Sequence, residues 1–109
     1  MNKNQEIIEQ AYSSNMENMD KNEVSKAVEE TITSLNSGEL RVAEYIDNDW
    51  KVNQWVKKAI LVSFKLRENK ITDTGYTKFY DKLTSKFNNI EEEYLKKNNI
   101  RVVPQAIAR

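Results

Sequence analysis

The segment "QWVKKAILVSFKL", Gln54 to Leu66, limits the fold more than any other part of the chain. Trp55, Ala59, Val62 and Leu66 recur at helical spacing, and Val56, Ile60 and Phe64 form a second row beside them. Two adjacent rows make an apolar face wider than half the circumference, with Lys57, Lys58 and Lys65 on the remainder. Such a face must be covered by other elements, so the spacing predicts a central core helix beginning near Gln54.

Its partners lie upstream. Val24, Ala27, Val28, Thr31, Ile32 and Leu35 form one inward stripe of a second helix, with Asn22 to cap its start and Gly38 to supply a left-handed turn after its end. Ile7, Ile8, Ala11 and Tyr12 predict a shorter helix from about Lys3 to Ser13. The polar stretch "SSNMENMDKN" between them reads as a loop from which Met16 and Met19 can fold onto the core. In "LRVAEYIDNDWKVNQW", Leu40, Val42 and Ile46 alternate with other residues, and Asp47-Asn48-Asp49 is turn chemistry. Trp50 and Val52 then resume the alternation. The reading is a β-hairpin packed on the central helix, with both tryptophans in the core.

Beyond Leu66 the signal weakens. Ile71 starts a short strand and Thr74-Gly75 a turn, but Tyr76, Phe79, Tyr80, Leu83 and Phe87 fit no single period. "NIEEEYLKKN" predicts a short helix, with Asn89 as cap, Glu92 three residues on, and Lys96 and Lys97 in the last turn. The end, "NNIRVVPQAIAR", places β-prone Ile100, Val102 and Val103 before Pro104, with apolar Ala106 and Ile107 after it. The expectation is a strand whose partner lies elsewhere and more protein after Arg109. The fold class is therefore α+β: a small helical domain with a hairpin and short additional strands over 1–99, then an exit strand over 100–109.

Composition narrows the chemistry. The chain has 109 residues, enough for a core, and 17 basic side chains balance 17 acidic ones. No global field therefore invites nucleic acid or an anionic membrane. Absence of both His and Cys removes histidine bases, thiol nucleophiles, disulfides and Cys/His zinc sites. The longest apolar run, "AILV", is far too short to span a bilayer, so a soluble, cytoplasmic protein is expected.

Three groups are candidates for chemistry. Lys57, Lys58, Lys65, Arg67 and Lys70 with Trp55 could form a nucleic-acid patch, against the reading of a solvated helix face. Glu91, Glu92 and Glu93 could be an acid/base or metal cluster, although acids in a first helical turn suit the macrodipole alone. Arg101 interrupts an apolar strand; it either faces water or grips a carboxylate bidentately.

The run "LNSGELRVAEYIDNDWKVNQWVKKAILVSFKL", Leu35 to Leu66, resembles the N-terminal region of bacterial tetrahydrodipicolinate N-succinyltransferases. "FYDKLTSKF" and "IRVVPQAIAR" extend the likeness over almost the entire chain, most thinly before Val24. Asn48, Thr84 and Gln105 stand where the family often has Gly, Pro and a second Pro, departures that touch loops. The resemblance implies that the terminal strand leads into a left-handed parallel β-helix absent from this chain. It implies transfer of succinyl from succinyl-CoA to ring-opened tetrahydrodipicolinate in the diaminopimelate route to lysine, by a homotrimer. The residues for CoA binding and catalysis then belong to the absent part; no catalytic, cofactor-binding or metal residue is assigned here. Arg101 matches the family arginine that contacts the dicarboxylate acceptor. Arg41 also matches the family pattern, with a structural role on the hairpin expected. Alone, the 109 residues are expected to be inactive. The alternative is a free-standing, non-catalytic interaction module built from this domain.

Overall fold

In the computed structural model, residues 2–73, 75 and 77–109 are described, and they form two compact units, Met1–Arg67 and Glu68–Arg109. The boundary between units falls after Arg67, within the span that the sequence reading treats as one domain.

The first unit is three helices and a hairpin: α1 (Lys3–Ser14), α2 (Lys21–Ser37), β1 (Ala43–Ile46), β2 (Asp49–Val52) and α3 (Gln54–Leu66). The three helices pack pairwise. Their core is Ile8 and Ala11 from α1, Val24, Ala27 and Val28 from α2, and Ala59 and Val62 from α3. Each helix contributes one alanine, whose missing bulk lets the backbones approach, while the branched residues fill the space between. Met16 and Met19 do fold against this cluster, together with Ile7, Ile32, Trp55 and Leu66.

On α3 the fully buried residues are Val56, Ala59, Val62 and Ser63. The wide face predicted from the sequence is present, but a serine lies at its centre. Ser63 is tolerated because its Oγ donates to the Ile60 carbonyl at 2.6 Å. Buried Thr31 likewise donates to the Ala27 carbonyl at 2.8 Å. Among the described residues no buried side-chain nitrogen or oxygen lacks a partner, as a dry helical core requires.

Capping differs from expectation at one end of α2. The cap is Asp20, whose carboxylate accepts from the Asn22 amide at 2.9 Å; Asn22 lies inside the helix as the donor. At the other end Gly38 takes φ +84° as predicted, donating its amide to the Leu35 carbonyl.

The hairpin is present with the pairing Ala43↔Val52, Glu44↔Lys51, Tyr45↔Trp50 and Ile46↔Asp49. Asp47 and Asn48 both have positive φ, 52° and 62°, as a two-residue type I′ connection demands. Asp49 is thus the first strand residue and not part of the turn. The ladder begins at Ala43, leaving Leu40 and Val42 half-buried before it. The expected packing of hairpin on α3 does not occur: α3 packs on α1 and α2, and neither strand lies against a helix. Trp55 is part of the core, but Trp50 is 66% exposed, so only one tryptophan serves as predicted. The reason is geometric. Two helices already occupy the wide face of α3, and strands of four residues are too short to reach around them.

The second unit contains β3 (Lys70–Asp73), β4 (Lys78–Asp81) and α4 (Glu92–Lys97). β3 and β4 form an antiparallel hairpin with Lys70 opposite Asp81 and Asp73 opposite Lys78, so opposite charges close both ends. Ile71 falls in β3 as predicted; of the aromatic residues that fit no period, Phe79 and Tyr80 lie in β4. The predicted turn at Thr74-Gly75 lies partly outside the described residues, as does Tyr76; Gly75 has φ +88° and donates its amide to Asp73 Oδ1 at 2.9 Å.

α4 starts at Glu92 with Glu91 at the cap position and no side-chain cap bond, which corrects the expected Asn89 cap. Asn89 is too early because residues 86–89 are occupied by turns. The acids at the start and lysines at the end are as read, and Glu92 pairs with Lys96 at 3.5 Å. Asn99, at φ +53°, ends α4 in a Schellman motif: the Ile100 amide donates to Leu95 O at 2.9 Å and the Asn99 amide to Lys96 O at 3.2 Å. Ile100 to Val103, expected as an exit strand, join no ladder among the described residues. A strand exists only through a partner's hydrogen bonds, and this segment has none here. The last residues are held to their own unit, with Lys86 donating to Ala108 O at 2.7 Å and Arg109 paired to Asp81 at 3.1 Å.

Candidate functional site

The sequence points to Arg101 as the one residue positioned for substrate. It lies directly after the Schellman motif, so the backbone that presents it is tied down at Ile100. Its side chain is exposed and enters none of the ion pairs among the described residues. An unpaired guanidinium on an anchored backbone has its full set of donors free for a carboxylate.

The basic residues around α3 are dispersed rather than gathered into one patch. Lys65 Nζ donates to Asn15 Oδ1 at the end of α1. Lys58 stands 5.5 Å over the Tyr12 ring, a cation–π contact. Arg67 pairs with Glu29 of α2 at 3.0 Å. Three of the predicted group therefore bind the helices to one another. Glu91, Glu92 and Glu93 are exposed at the start of α4, and among the described residues no group of three acidic side chains is placed to hold a metal.

One shallow depression opens beside the start of α1 and the end of α2, with Glu29, Glu30, Glu39 and Trp55 in its lining. Its carboxylates are partly engaged already: Glu30 accepts from Asn4 Nδ2 at 2.8 Å and Glu29 holds Arg67.

The feature that sequence reading missed is Asn53. It sits between β2 and α3, and its backbone amide, backbone carbonyl and side-chain Nδ2 are all in use. Its amide donates to Val42 O at 2.7 Å, and its carbonyl accepts from the Val56 amide at 3.0 Å. Its side-chain Nδ2 donates to Arg41 O at 2.8 Å and to Glu44 Oε2 at 3.2 Å. Asn53 thereby joins the approach to the hairpin, the hairpin itself and the first turn of α3. An asparagine directly before a helix is an available signal, but it suggests an ordinary cap; here the side chain turns away to the hairpin. Arg41 contributes its backbone carbonyl to this joint, an acceptor that any residue at this position would supply.

The hairpin so fixed presents two unlike faces. Ala43, Tyr45, Trp50 and Val52 share one face by register, and Glu44, Ile46, Asp49 and Lys51 the other. Tyr45 and Trp50 meet edge to face, with ring centroids 5.4 Å apart and planes at 60°.

No described helix is long and apolar enough to cross a membrane. A family model described as Tetrahydrodipicolinate N-succinyltransferase N-terminal matches residues 3–66, all of the helical unit from α1 to the end of α3. A 2,3,4,5-tetrahydropyridine-2,6-dicarboxylate N-succinyltransferase of Legionella pneumophila (strain Paris) is 42% identical across the whole chain, which covers 41% of that protein. Its counterparts in Acinetobacter baylyi and Acinetobacter baumannii (strain AYE) are 51% identical over 80% of the chain and 48% identical over 94%. In those two the matched part is 32% and 39% of their length, so this chain spans well under half of the relatives it resembles. The match covers more than half of the chain and includes the core stripe, the hairpin and the Asn53 joint, and the chain belongs to the tetrahydrodipicolinate N-succinyltransferase N-terminal family.

Proposed function

We propose that this chain is the N-terminal domain of an acyltransferase that moves succinyl from succinyl-CoA to ring-opened tetrahydrodipicolinate, in the diaminopimelate route of lysine biosynthesis. The acceptor amine attacks the thioester carbonyl, an amide bond forms, and the CoA thiol leaves. The observation that carries this reading is identity of 42% sustained over all of the chain with a relative bearing that enzyme's name. The full-length protein is a cytoplasmic homotrimer whose terminal segment leads into a left-handed β-helix, and the 109 residues alone are inactive.

Within this domain, Arg101 binds the acceptor. A dicarboxylate needs a cation it can reach, and the Arg101 guanidinium is exposed, unpaired among the described residues and carried on backbone anchored at Ile100. Substituting Arg101→Ala in the whole gene product removes charge-assisted bonds of about 1.5–3 kcal/mol, raising the acceptor KM about 10- to 150-fold. The KM for succinyl-CoA stays as it was. An unchanged acceptor KM together with an unchanged kcat removes Arg101 from the site.

A further inference from the structure

Among the described residues of its own unit, no element packs on the apolar face of the first hairpin. All four residues that share it, Ala43, Tyr45, Trp50 and Val52, are apolar, and Tyr45, Trp50 and Val52 are 61%, 66% and 50% exposed. The opposite face carries a Glu44–Lys51 cross-strand pair, Asp49 and a single apolar residue, Ile46. This is the sidedness of an antiparallel sheet with one face buried and the other in water. A lone two-stranded hairpin is marginal in water, yet this one is braced by Asn53 and by an aromatic cross-strand pair. It is a preformed surface.

We propose that this face docks onto the remainder of the enzyme's own polypeptide, the part by which the relatives exceed this chain; the proposal rests on the family reading above. The area decides between occupants. At the observed exposures, two aromatic side chains of roughly 150–250 Å² each, with Val52 and Ala43, offer roughly 250–400 Å². A stable association of separate molecules buries about 800 Å² per partner. The patch is about half that or less, too little for a free partner, or for a second copy not already held elsewhere, to be held by this face alone. Docking within one polypeptide avoids most of the cost of association, because the tether sets an effective concentration on the order of millimolar. A small, rigid, wholly apolar face suits that case. The relatives supply the occupant: the matched region is only 41% of the Legionella protein.

The test needs no variant. Hydroxyl-radical footprinting of the wild-type whole gene product, read by mass spectrometry, reports Tyr45 and Trp50 together on the tryptic peptide between Arg41 and Lys51. The expected result is about tenfold protection of both rings relative to the denatured protein, retained on dilution to concentrations at which the trimer dissociates. The 109-residue chain, treated in parallel, should leave both rings reactive. Reactive rings in the whole product overturn the proposal. Protection lost as the trimer dissociates assigns the face to a neighbouring subunit, and protection already complete in the 109-residue chain places the cover within residues 1–109; either result also overturns it. Succinyl-CoA-dependent release of the CoA thiol, measured on the same sample, reports the family reading separately. Activity with reactive rings refutes the docking alone, and protected rings without activity refute the reaction alone.

Discussion

Replacing Asn53 by alanine should loosen the hairpin without loosening the helices. The side chain makes two hydrogen bonds, 2.8 Å to Arg41 O and 3.2 Å to Glu44 Oε2, while the backbone links to Val42 and Val56 survive the substitution. A net hydrogen bond contributes about 0.5–1.5 kcal/mol, and Asn53 is half-buried, so solvent weakens the charged one. The sum is about 1–2 kcal/mol, a factor of about 5–30 in the local opening equilibrium. Because neither strand packs on a helix, the loss is local. Native-state hydrogen exchange should show amides of residues 43–52 exchanging about 5–30 times faster, while those of α1 and α2 change less than about twofold. Near-ultraviolet circular dichroism from the Tyr45–Trp50 pair should fall in parallel. Asn53→Asp is the sharper variant, since it places a carboxylate against the Arg41 carbonyl and the Glu44 carboxylate. Its loss should exceed that of Asn53→Ala, because two like charges would then stand where a donor and an acceptor met. Equal acceleration in hairpin and helices would refute the reasoning, because it would mean that the two unfold as one body.

The remaining expectations concern the helices. Ile8→Ala empties a fully buried position in the three-helix core and should cost about 2–5 kcal/mol, read as a lower urea midpoint. Asp20→Ala should cost about 1 kcal/mol by removing the cap of α2, whereas Asn22→Ala, at the cap predicted from sequence, should change stability by less than half as much. Gly38→Ala meets no atom within 4 Å, so its cost is the left-handed backbone alone, about 1–2 kcal/mol in thermal or urea unfolding.

The helical half of the fold was legible because its information is local. Val24, Ala27, Val28 and Thr31 in α2, and Val56, Ala59 and Val62 in α3, repeat at the helical period, and those residues are buried. The Asp47-Asn48 turn was legible for the same reason, since positive φ at both positions is a property of those residues and their neighbours. Less could be read where two chemistries compete for one spot. Asp20 and Asn22 are both able caps, and Asn89 stands close enough to α4 to suggest one. Deciding between them needs the backbone, which bends at Asp20 and is still turning at Asn89. For the candidate site, Arg101 stood out locally as a charge in an apolar run, but its choice over a solvent-facing reading came only through resemblance to a family. Its anchoring at Ile100 and, among the described residues, its freedom from ion pairs are given by the structure.

The sequence by itself determined where the helices lie, which of their faces turn inward, where the first hairpin turns and which family the chain resembles. Those follow from periodicity, turn chemistry and residue identity, all of which act over a few neighbouring positions. Only the tertiary structure decided what covers what. Trp50 and Trp55 are five residues apart and equally apolar, yet one is packed on the core and the other is two-thirds exposed. The difference arises because α1 and α2 fill the face of α3 before the hairpin can reach it. The same holds for Ile100 to Val103, whose composition favors a strand that, among the described residues, finds no partner to pair with. Burial and strand pairing are properties of partners distant in sequence, and no local pattern carries them.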